Sequence, residues 1–350
     1  MGKLKKLTGY RLFLPLSCLI IVLLINLITT PTFFKITINN GVLYGYIIDV
    51  INRASELVVL AVGMTLVVSA SAGTDISVGA VMAVSAAVCT RVLAGGEVSV
   101  NEYANPYILA VLAALAVAVV CGGFNGFLVA KLKIQPMVAT LILFTAGRGI
   151  SQLVTNGQIT YIRVDGYKLL GNNIPGIPIP TPIFVAVIVV ALTYILLNKT
   201  AMGMYIQSVG INERASRLVG LKSVKIIWMA YAFCGLCAGI AGLVASSRIY
   251  SADANNIGLN MELDAIAAVA LGGNSLGGGR FSLLGSVIGA YTIQALTTTL
   301  YAMSVPADQI PVYKAIVVIL IVAVQSEELK KFRKRLASRH SSKNVEGGVA

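Results

Sequence analysis

Residues 44–94 read YGYIIDVINRASELVVLAVGMTLVVSASAGTDISVGAVMAVSAAVCTRVLA. Two long apolar runs, 44–71 and 76–94, are separated by only a few small and polar residues. A membrane-spanning helix requires about 20 predominantly apolar residues, and each run reaches or approaches that length. The stretch therefore predicts two transmembrane helices joined by a short polar break.

The same pattern continues along the whole chain. Hydrophobic residues make up 57% of the sequence and charged residues only 12%, whereas soluble proteins carry about 25% charged residues. We therefore predict an all-α, polytopic transmembrane helical bundle with about ten membrane segments. The predicted segments are 12–30, 44–71, 76–94, 106–130, 136–155, 181–198, 224–246, 263–272, 282–302 and 311–325.

The segment 263–272 is too short to cross a bilayer as a helix by itself. Ten helical residues extend about 15 Å, which is about half of a hydrocarbon core. The segment is therefore either a half-helix or the helical part of a span completed by non-helical backbone buried in protein. We count it as a span, and the even total then places both termini on one side of the membrane.

The basic residues identify that side as the cytoplasm. The net charge is +13, and the basic residues cluster at both termini and in two short loops, as the positive-inside rule predicts for cytoplasmic segments. We expect one membrane domain over 1–330, a basic cytoplasmic tail over 331–350 and cytoplasmic N- and C-termini. Because the charge has this membrane-related distribution, we expect no nucleic-acid partner.

The sequence lacks the patterns of catalytic and nucleotide-binding sites. The glycine-rich stretch LGGNSLGGGR, 271–280, has no G-K-[ST] ending of a phosphate-binding loop. The only histidine, His340, lies in the tail, and Cys234 and Cys237 lie in an apolar run without a histidine nearby. We therefore expect a transport protein without a cofactor or metal rather than an enzyme.

Several polar residues lie at the ends of predicted membrane segments. Thr74 and Asp75 occupy the break of the first hairpin, and Glu262 and Asp264 precede the short apolar segment. Capping is the simpler interpretation, because Thr and Asp favour N-caps and acids are stabilised at helix N-termini. Ionisable groups at membrane depth also mark transport pathways, so substrate contact or gating stays open. Further polar candidates for a cavity are Asn125, Gln135, Thr140, Ser151 and Asn274, of which Asn274 joins the candidate pathway residues.

Other spacings predict helix contacts. Asp49 and Arg53 are four residues apart on one predicted helix and are expected to form an ion pair. Arg148 is a lone cation in an apolar segment and either faces the bundle or extends to the interface. G-x-x-x-G pairs, which are typical of closely packed membrane helices, occur at Gly122/Gly126, Gly235/Gly239 and Gly285/Gly289.

The segment between the sixth and seventh spans, GMYIQSVGINERASRLVGLKSVK (203–225), is partly amphipathic. As a short surface helix it would present charges and small apolar side chains to a cytoplasmic partner. It could equally lie on lipid headgroups as an interfacial helix. The residue pattern alone leaves these two interpretations open.

Three further blocks occur in order: GTDISVGAVMAVSAAV (73–88), NGFLVAKLKIQPMVATLILFTAGRG (125–149) and ADANNIGLNMELDAIAAVALGGNSLGGGRFSLLGSVIGA (252–290). Together with 203–225 they resemble the permeases of ribose/galactose-type ABC sugar importers. IIDVINRASELVVLAVGMTLVVS (47–69) and SADANNIGL (251–259) are most similar to the galactofuranose permease branch.

The resemblance implies a subunit of the bacterial inner membrane that imports a monosaccharide, with galactofuranose as the candidate. It implies a cytoplasmic ABC ATPase, a periplasmic sugar-binding protein and a second permease subunit, identical or related, as partners. The coupling segment that contacts the ATPase would lie within about 205–222. Its expected polar contacts are Asn212, Glu213, Arg214 and Arg217.

A second class of function stays open from the sequence. Ion-coupled secondary transporters of small polar solutes place acids near the middle of the membrane to bind Na⁺ or H⁺. Asp75 and Asp264 are the candidates for that role.

Overall fold

The computed structural model describes residues 12–39 and 41–325, so the basic tail predicted over 331–350 lies outside the described residues. Within them the chain forms twelve α-helices, which we number in chain order. They are α1 (Phe13–Thr29), α2 (Tyr46–Ser71), α3 (Val78–Ala94), α4 (Tyr107–Ala130), α5 (Pro136–Val154), α6 (Thr181–Lys199), α7 (Met202–Ile211), α8 (Glu213–Leu218), α9 (Ser223–Ile249), α10 (Met261–Leu271), α11 (Leu283–Ala302) and α12 (Ile310–Gln325).

The helices confirm a membrane-type helical architecture. Six of them, α2, α4, α5, α6, α9 and α11, are long and apolar enough to cross a bilayer. Apolar helices of 10–17 residues also occur within α1, α3 and α12. Each predicted membrane segment coincides with a helix, and the short predicted segment is α10, whose 11 residues extend about 16 Å.

The structure is mostly rather than purely helical. Five strands of two or three residues occur in the connecting segments: β1 (Thr37–Asn39), β2 (Val42–Tyr44), β3 (Ser99–Val100), β4 (Thr160–Ile162) and β5 (Ser251–Ala252). β1 and β2 pair antiparallel, while β4 lies between β3, which is parallel to it, and β5, which is antiparallel. Strands this short carry no periodic pattern, so the all-α prediction missed them.

The connecting segments lie at two ends of the bundle. At the end that we call the sheet end, β3, β4 and β5 join the segments that follow α3, α5 and α9. At the opposite end, which we call the α8 end, Lys133 bonds Glu213 of α8. Gly210 of α7 also packs there, against Ser69 of α2 and Gly279 of the α10–α11 turn. Successive long helices therefore alternate in direction.

Helix α2 forms the centre of the bundle. In its most apolar 18-residue window, 89% of the residues are buried, and it contacts α6, α7, α9, α10 and α11. A helix that is apolar on all sides is expected in the interior rather than at the surface. Gly63 permits the close contact with α9, since a Cβ there would lie 3.0 Å from Cys234 Cα and 3.0 Å from Cys237 Cβ. The two cysteines thus pack as small residues.

Helices α4 and α9 cross at paired glycines. A Cβ added to Gly235 would lie 2.9 Å from Gly122 Cα, and one added to Gly126 would lie 3.0 Å from Trp228 Cα. The contact is backbone to backbone, so no side chain can move aside. This confirms the predicted role of these G-x-x-x-G pairs in close helix packing.

One predicted ion pair was wrong. The described residues contain no Asp49–Arg53 pair; instead Arg248 of α9 binds Glu56, with an N–O distance of 3.0 Å. Arg248 also donates to the carbonyl oxygen of Asn52. Spacing along one helix cannot anticipate a partner from a distant helix, and here the inter-helix contact forms between two largely buried side chains.

We predict that Gly235→Ala destabilises the protein, because the new methyl group overlaps backbone atoms of α4. Overpacking of this kind typically costs about 1–3 kcal/mol. The measurement is the melting temperature of the detergent-purified protein.

The matched control is Gly149→Ala, since a Cβ at this helical glycine meets no atom within 4 Å. Equal melting temperatures for the two variants would contradict the proposed α4–α9 contact.

Candidate transport pathway and coupling surface

Helices α3 and α5 lie side by side in the same direction. The amide of Ile76 donates to Thr140 Oγ1 over 3.1 Å, and Ser151 Oγ donates to the carbonyl of Ala83 over 3.0 Å. Thr140 lies in the second turn of α5, whereas its partner Ile76 lies before the first residue of α3. Helix α3 therefore begins within the bundle, and the non-helical break before it is also inside.

Asp75 organises this break. Its side chain is buried, and Oδ1 accepts hydrogen bonds from the amide and hydroxyl of Ser77 at 2.9 and 2.6 Å. Asn125 of α4 donates to Ser77 Oγ over 2.8 Å. The carboxylate thus holds the turn that starts α3, which favours the capping interpretation. Thr74 beside it is also buried, and its hydroxyl makes no hydrogen bond within the part of the chain that the structure describes.

The second break precedes α10. Residues 253–260 are non-helical and descend from β5 into the bundle. A Cβ on Gly258 would lie 3.0 Å from Gly79 Cα, and the side chain of Glu262 also contacts Gly79. Helix α10 therefore begins beside the first turn of α3 and runs from there to Leu271. The backbone that precedes α10 is thus non-helical and packed against protein, as such backbone must be inside a membrane.

Side chains satisfy the backbone of this second break. Asp253 Oδ1 accepts from the amides of Asn255 and Asn256 at 2.9 and 3.3 Å. Arg148 of α5 donates to the carbonyl oxygens of Ala254 and Ile257 at 2.9 and 2.5 Å. The lone cation predicted in α5 therefore faces the bundle and fastens residues 253–260 to that helix.

Asp264 lies on another side of α10. Its Oδ2 is 2.7 Å from Lys314 Nζ of α12, and both side chains are largely buried. Glu262, in contrast, faces α3 and is 3% exposed, with Oε2 unpaired among the described residues. The two acids of this helix thus have different surroundings.

Asn274 closes the turn between α10 and α11. Its Nδ2 donates to the carbonyl of Val269 at 3.0 Å and to Ser286 Oγ at 2.8 Å, while Oδ1 accepts from the amide of Ser282 at 2.5 Å. The five candidate pathway residues therefore occupy separate places. Thr74 and Asp75 lie before α3, Glu262 beside Gly79, Asp264 against α12 and Asn274 near the α8 end.

The predicted coupling segment forms two short helices that separate at Asn212. Asn212 caps α8, since its side-chain oxygen accepts from the amide of Ala215 over 3.0 Å. Glu213 binds Lys133 Nζ at 2.5 Å and also binds Arg217. Partial burial raises the pKa of Glu213, but the hydrogen bonds from Lys133 and Arg217 outweigh this and keep it below its ordinary value.

The far side of α8 is open. Arg214 is exposed, Leu218 is 89% exposed and Val219 is 78% exposed. Cationic and apolar side chains thus lie together on a surface that nothing in the described part of the chain covers.

The other polar residues proposed for a cavity mostly fasten helices. Asn125 and Thr140 are buried and bond residues 76–77 just before α3, and the buried Ser151 bonds Ala83 in its second turn. The sequence analysis gave no role to Gln152 and Asn255, whose side chains meet at 2.7 Å. They are 103 residues apart in the sequence, and only the fold brings them together.

Comparison with known proteins connects this geometry to a family. A family model described as "Branched-chain amino acid transport system / permease component" matches residues 46–325, which include both breaks and the α7–α8 segment. The chain belongs to this permease family. No solved structure matches it.

Relatives in the family share most of its length. The permease is 43% identical to a galactofuranose transporter permease of Escherichia coli (strain K12), over 93% of this chain and 92% of that one. It is 37% identical to a fructose import permease of Bifidobacterium longum, over 99% and 96%. It is 35% identical to a ribose import permease of Escherichia coli (strain K12), over 89% and 93%.

These matches confirm the resemblance to ribose/galactose-type ABC sugar permeases. The permease is a membrane subunit of the sugar-import type and a protein of the bacterial inner membrane. It is a transport subunit rather than a catalyst.

We predict that Asp264→Asn lowers the melting temperature of the permease, because it leaves Lys314 largely buried without its counter-charge. Breaking a buried pair at one partner costs about 3–5 kcal/mol, whereas replacing both partners is far less costly. The double variant Asp264→Asn/Lys314→Met should therefore melt above the single variant. Strictly additive effects in this double-mutant cycle would show that the pair contributes nothing.

Proposed function

We propose that this permease forms the translocation pathway of an ATP-driven monosaccharide importer and couples it to a cytoplasmic ATPase. The observation that carries the proposal is the contact of the coupling segment with the helix ends beside the first break. Glu213 binds Lys133 between α4 and α5, and Gly210 packs on Ser69 near the end of α2. A partner that moved α8 would therefore move the helices around Asp75.

We infer ten membrane crossings with both termini in the cytoplasm. The long helices alternate in direction, and the non-helical residues 253–260 extend α10 toward the sheet end. Both observations support that number. The basic residues Lys131, Lys133, Arg214 and Arg217 all belong to segments at the α8 end, which favours the cytoplasm for that end. The sheet end would then face the periplasm.

Membership of the permease family supports three kinds of partner. An ABC ATPase would dock on α8 through Asn212, Glu213, Arg214 and Arg217, with Leu218 and Val219 as apolar contacts, and would hydrolyse the ATP. A periplasmic sugar-binding protein would deliver the substrate at the sheet end. A second permease, identical or related, would complete the pathway. Among the sugars in the relatives' names, galactofuranose is the first candidate, because that relative has the highest of the three identities.

One observation keeps ion coupling as the second candidate. Asp75 is buried and pairs with no cation among the described residues, and such a carboxylate could take up a proton or Na⁺. Asp264 is less suited to that role, because Lys314 already compensates its charge.

We predict that ATP, and not an ion gradient, drives uptake. The permease would be reconstituted in liposomes with its ATPase, its binding protein and any second permease, and radiolabelled galactofuranose, fructose and ribose would be tested in turn. Uptake should stop without internal ATP and persist when ionophores remove the ion gradients. Uptake that survives ATP removal but stops with ionophores would favour the ion-coupled alternative.

We predict that replacing Glu213, Arg214 and Arg217 together with alanine weakens ATPase binding. Loss of a hot-spot residue at an interface costs about 2 kcal/mol or more, so the affinity for the ATPase should fall roughly thirtyfold and co-purification should fall with it. Membrane insertion should be unchanged, because these side chains lie outside the bundle core.

A control variant carries the same charge change at exposed positions of other connecting segments: Lys35→Ala, Glu97→Ala and Arg163→Ala. Unchanged ATPase co-purification and uptake in the α8 variant would refute the proposed coupling surface.

A further inference from the structure

Two cations lie on two tyrosine rings at the sheet end. The guanidinium carbon of Arg163 is 6.0 Å from the centre of the Tyr161 ring. In the same way, Lys168 Nζ is 5.4 Å from the centre of the Tyr250 ring. Cations at such distances are attracted to the face of an aromatic ring. These four side chains border a depression of about 380 Å³, to which Ile249 also contributes. We call the five residues the tyrosine–cation surface.

The segment that carries both cations is fixed to the end of α9. The hydroxyl groups of Tyr167 and Ser246 are 2.7 Å apart, and Tyr167 is buried. Ser247 Oγ donates to the carbonyl of Tyr167 over 2.5 Å and accepts from the amide of Gly171 over 2.7 Å. The amide of Arg163 donates to a carbonyl oxygen of β3 over 2.8 Å. The surface is therefore held in place before a partner arrives, which lowers the entropic cost of binding.

The tyrosine–cation surface lies over the end of a central helix. Ile249 is the last residue of α9, and Tyr250 caps that helix. In the most apolar 18-residue window of α9, 72% of the residues are buried, and its neighbours include α2, α3 and α4. Because other helices largely enclose α9, its end faces the water beyond the sheet end and not the hydrocarbon beside the bundle.

The surface has the charge and composition of a protein-binding site. Arg163 forms no ion pair among the residues that the structure describes. Lys168 pairs with Asp165 over 2.7 Å, but the Asp165 side chain is 95% exposed, and water screens such pairs. Two cations and one carboxylate thus line the depression and leave one positive charge uncompensated. Tyr161 and Ile249 are exposed beside them, and Tyr and Arg are enriched at interfaces whose apolar centre has a polar rim.

We propose that the tyrosine–cation surface binds the periplasmic sugar-binding protein through carboxylate side chains of that protein. The inference rests on the proposed importer function, in which the sheet end faces the periplasm, and it names the surface that this partner contacts. Arg163 and Lys168 pair with the carboxylates, while the two tyrosines and Ile249 supply apolar contacts. β5 continues directly from this surface into residues 253–260, so the bound protein lies beside the second break.

The test compares Arg163→Glu and Lys168→Glu with the matched control Lys35→Glu. Lys35 is an exposed cation that precedes α2 at the sheet end, so the control makes the same charge change outside the surface. The permease, its ATPase and any second permease are placed in nanodiscs, and the dissociation constant for the sugar-binding protein is measured at low and high NaCl. Nanodiscs of phosphatidylcholine alone are compared with nanodiscs that also contain phosphatidylglycerol, which tests for an anionic lipid on the surface.

We expect each variant of the surface to raise the dissociation constant about tenfold, because a charge change at the edge of an interface slows association. The affinity of the unmodified assembly should fall as NaCl increases, and this dependence should be weaker in the variants, since salt screens the charge pairs. The binding-protein concentration that gives half-maximal sugar uptake should rise by a similar factor. The maximal uptake rate, the melting temperature and ATPase co-purification should stay at the level of the Lys35→Glu control.

Three results would overturn this binding surface. A dissociation constant equal to that of the Lys35→Glu control would show that the sugar-binding protein does not contact these cations. A lower melting temperature together with a lower maximal uptake rate would indicate a structural role. Stabilisation by phosphatidylglycerol that Arg163→Glu abolishes, with unchanged affinity for the binding protein, would assign the surface to lipid headgroups. Failure of the proposed function itself is distinguishable, because the unmodified assembly would then show neither ATP-dependent uptake nor affinity for the binding protein.

Discussion

The structure depends on one constraint: backbone amides and carbonyls inside a membrane protein must find hydrogen-bond partners without the help of lipid. Continuous helices meet this requirement by themselves, but the chain interrupts its helices at 72–77, 253–260 and 272–282. At each interruption a polar side chain bonds the freed backbone. Asp75 does so before α3, Asp253 and Arg148 before α10, and Asn274 before α11. These interior polar residues are therefore explained first by the breaks.

The same breaks explain how a distant partner could act on the pathway. Near the α8 end, Gly279 donates its amide to the carbonyl of Ser69, 2.9 Å away. Gly210 fits between these two segments, and a Cβ there would lie 2.6 Å from Gly279 N. The end of α2, the α7–α8 segment and the α10–α11 turn thus share one junction without room for side chains. A displacement of α8 would be transmitted to the first and third breaks with little loss, because closely packed backbones cannot deform independently.

The sequence predicts the helices well because the length and the apolar composition that a bilayer requires are properties of each segment by itself. It also located the break at Thr74 and Asp75 and the partial helix that became α10. It missed the short strands, whose two or three residues show no periodicity. It predicted an ion pair between Asp49 and Arg53. The structure instead pairs Glu56 with Arg248, which lies almost 200 residues further along the chain. Gln152 and Asn255 escaped notice for the same reason, since only tertiary contacts between α5 and the second break bring them together.

The most direct test of how the second break lies in the bundle is the reactivity of a cysteine placed at Asn255. The Asn255→Cys substitution would be made in a background without the two half-buried cysteines, Cys18 and Cys121. Modification by a membrane-impermeant maleimide would be compared with that of Leu141→Cys, which lies on the apolar exposed side of α5. We expect rapid modification at position 255 from the periplasmic side and almost none at position 141. Equal protection of both positions would show that residues 253–260 border lipid or protein, and would contradict the exposure of this segment at the sheet end.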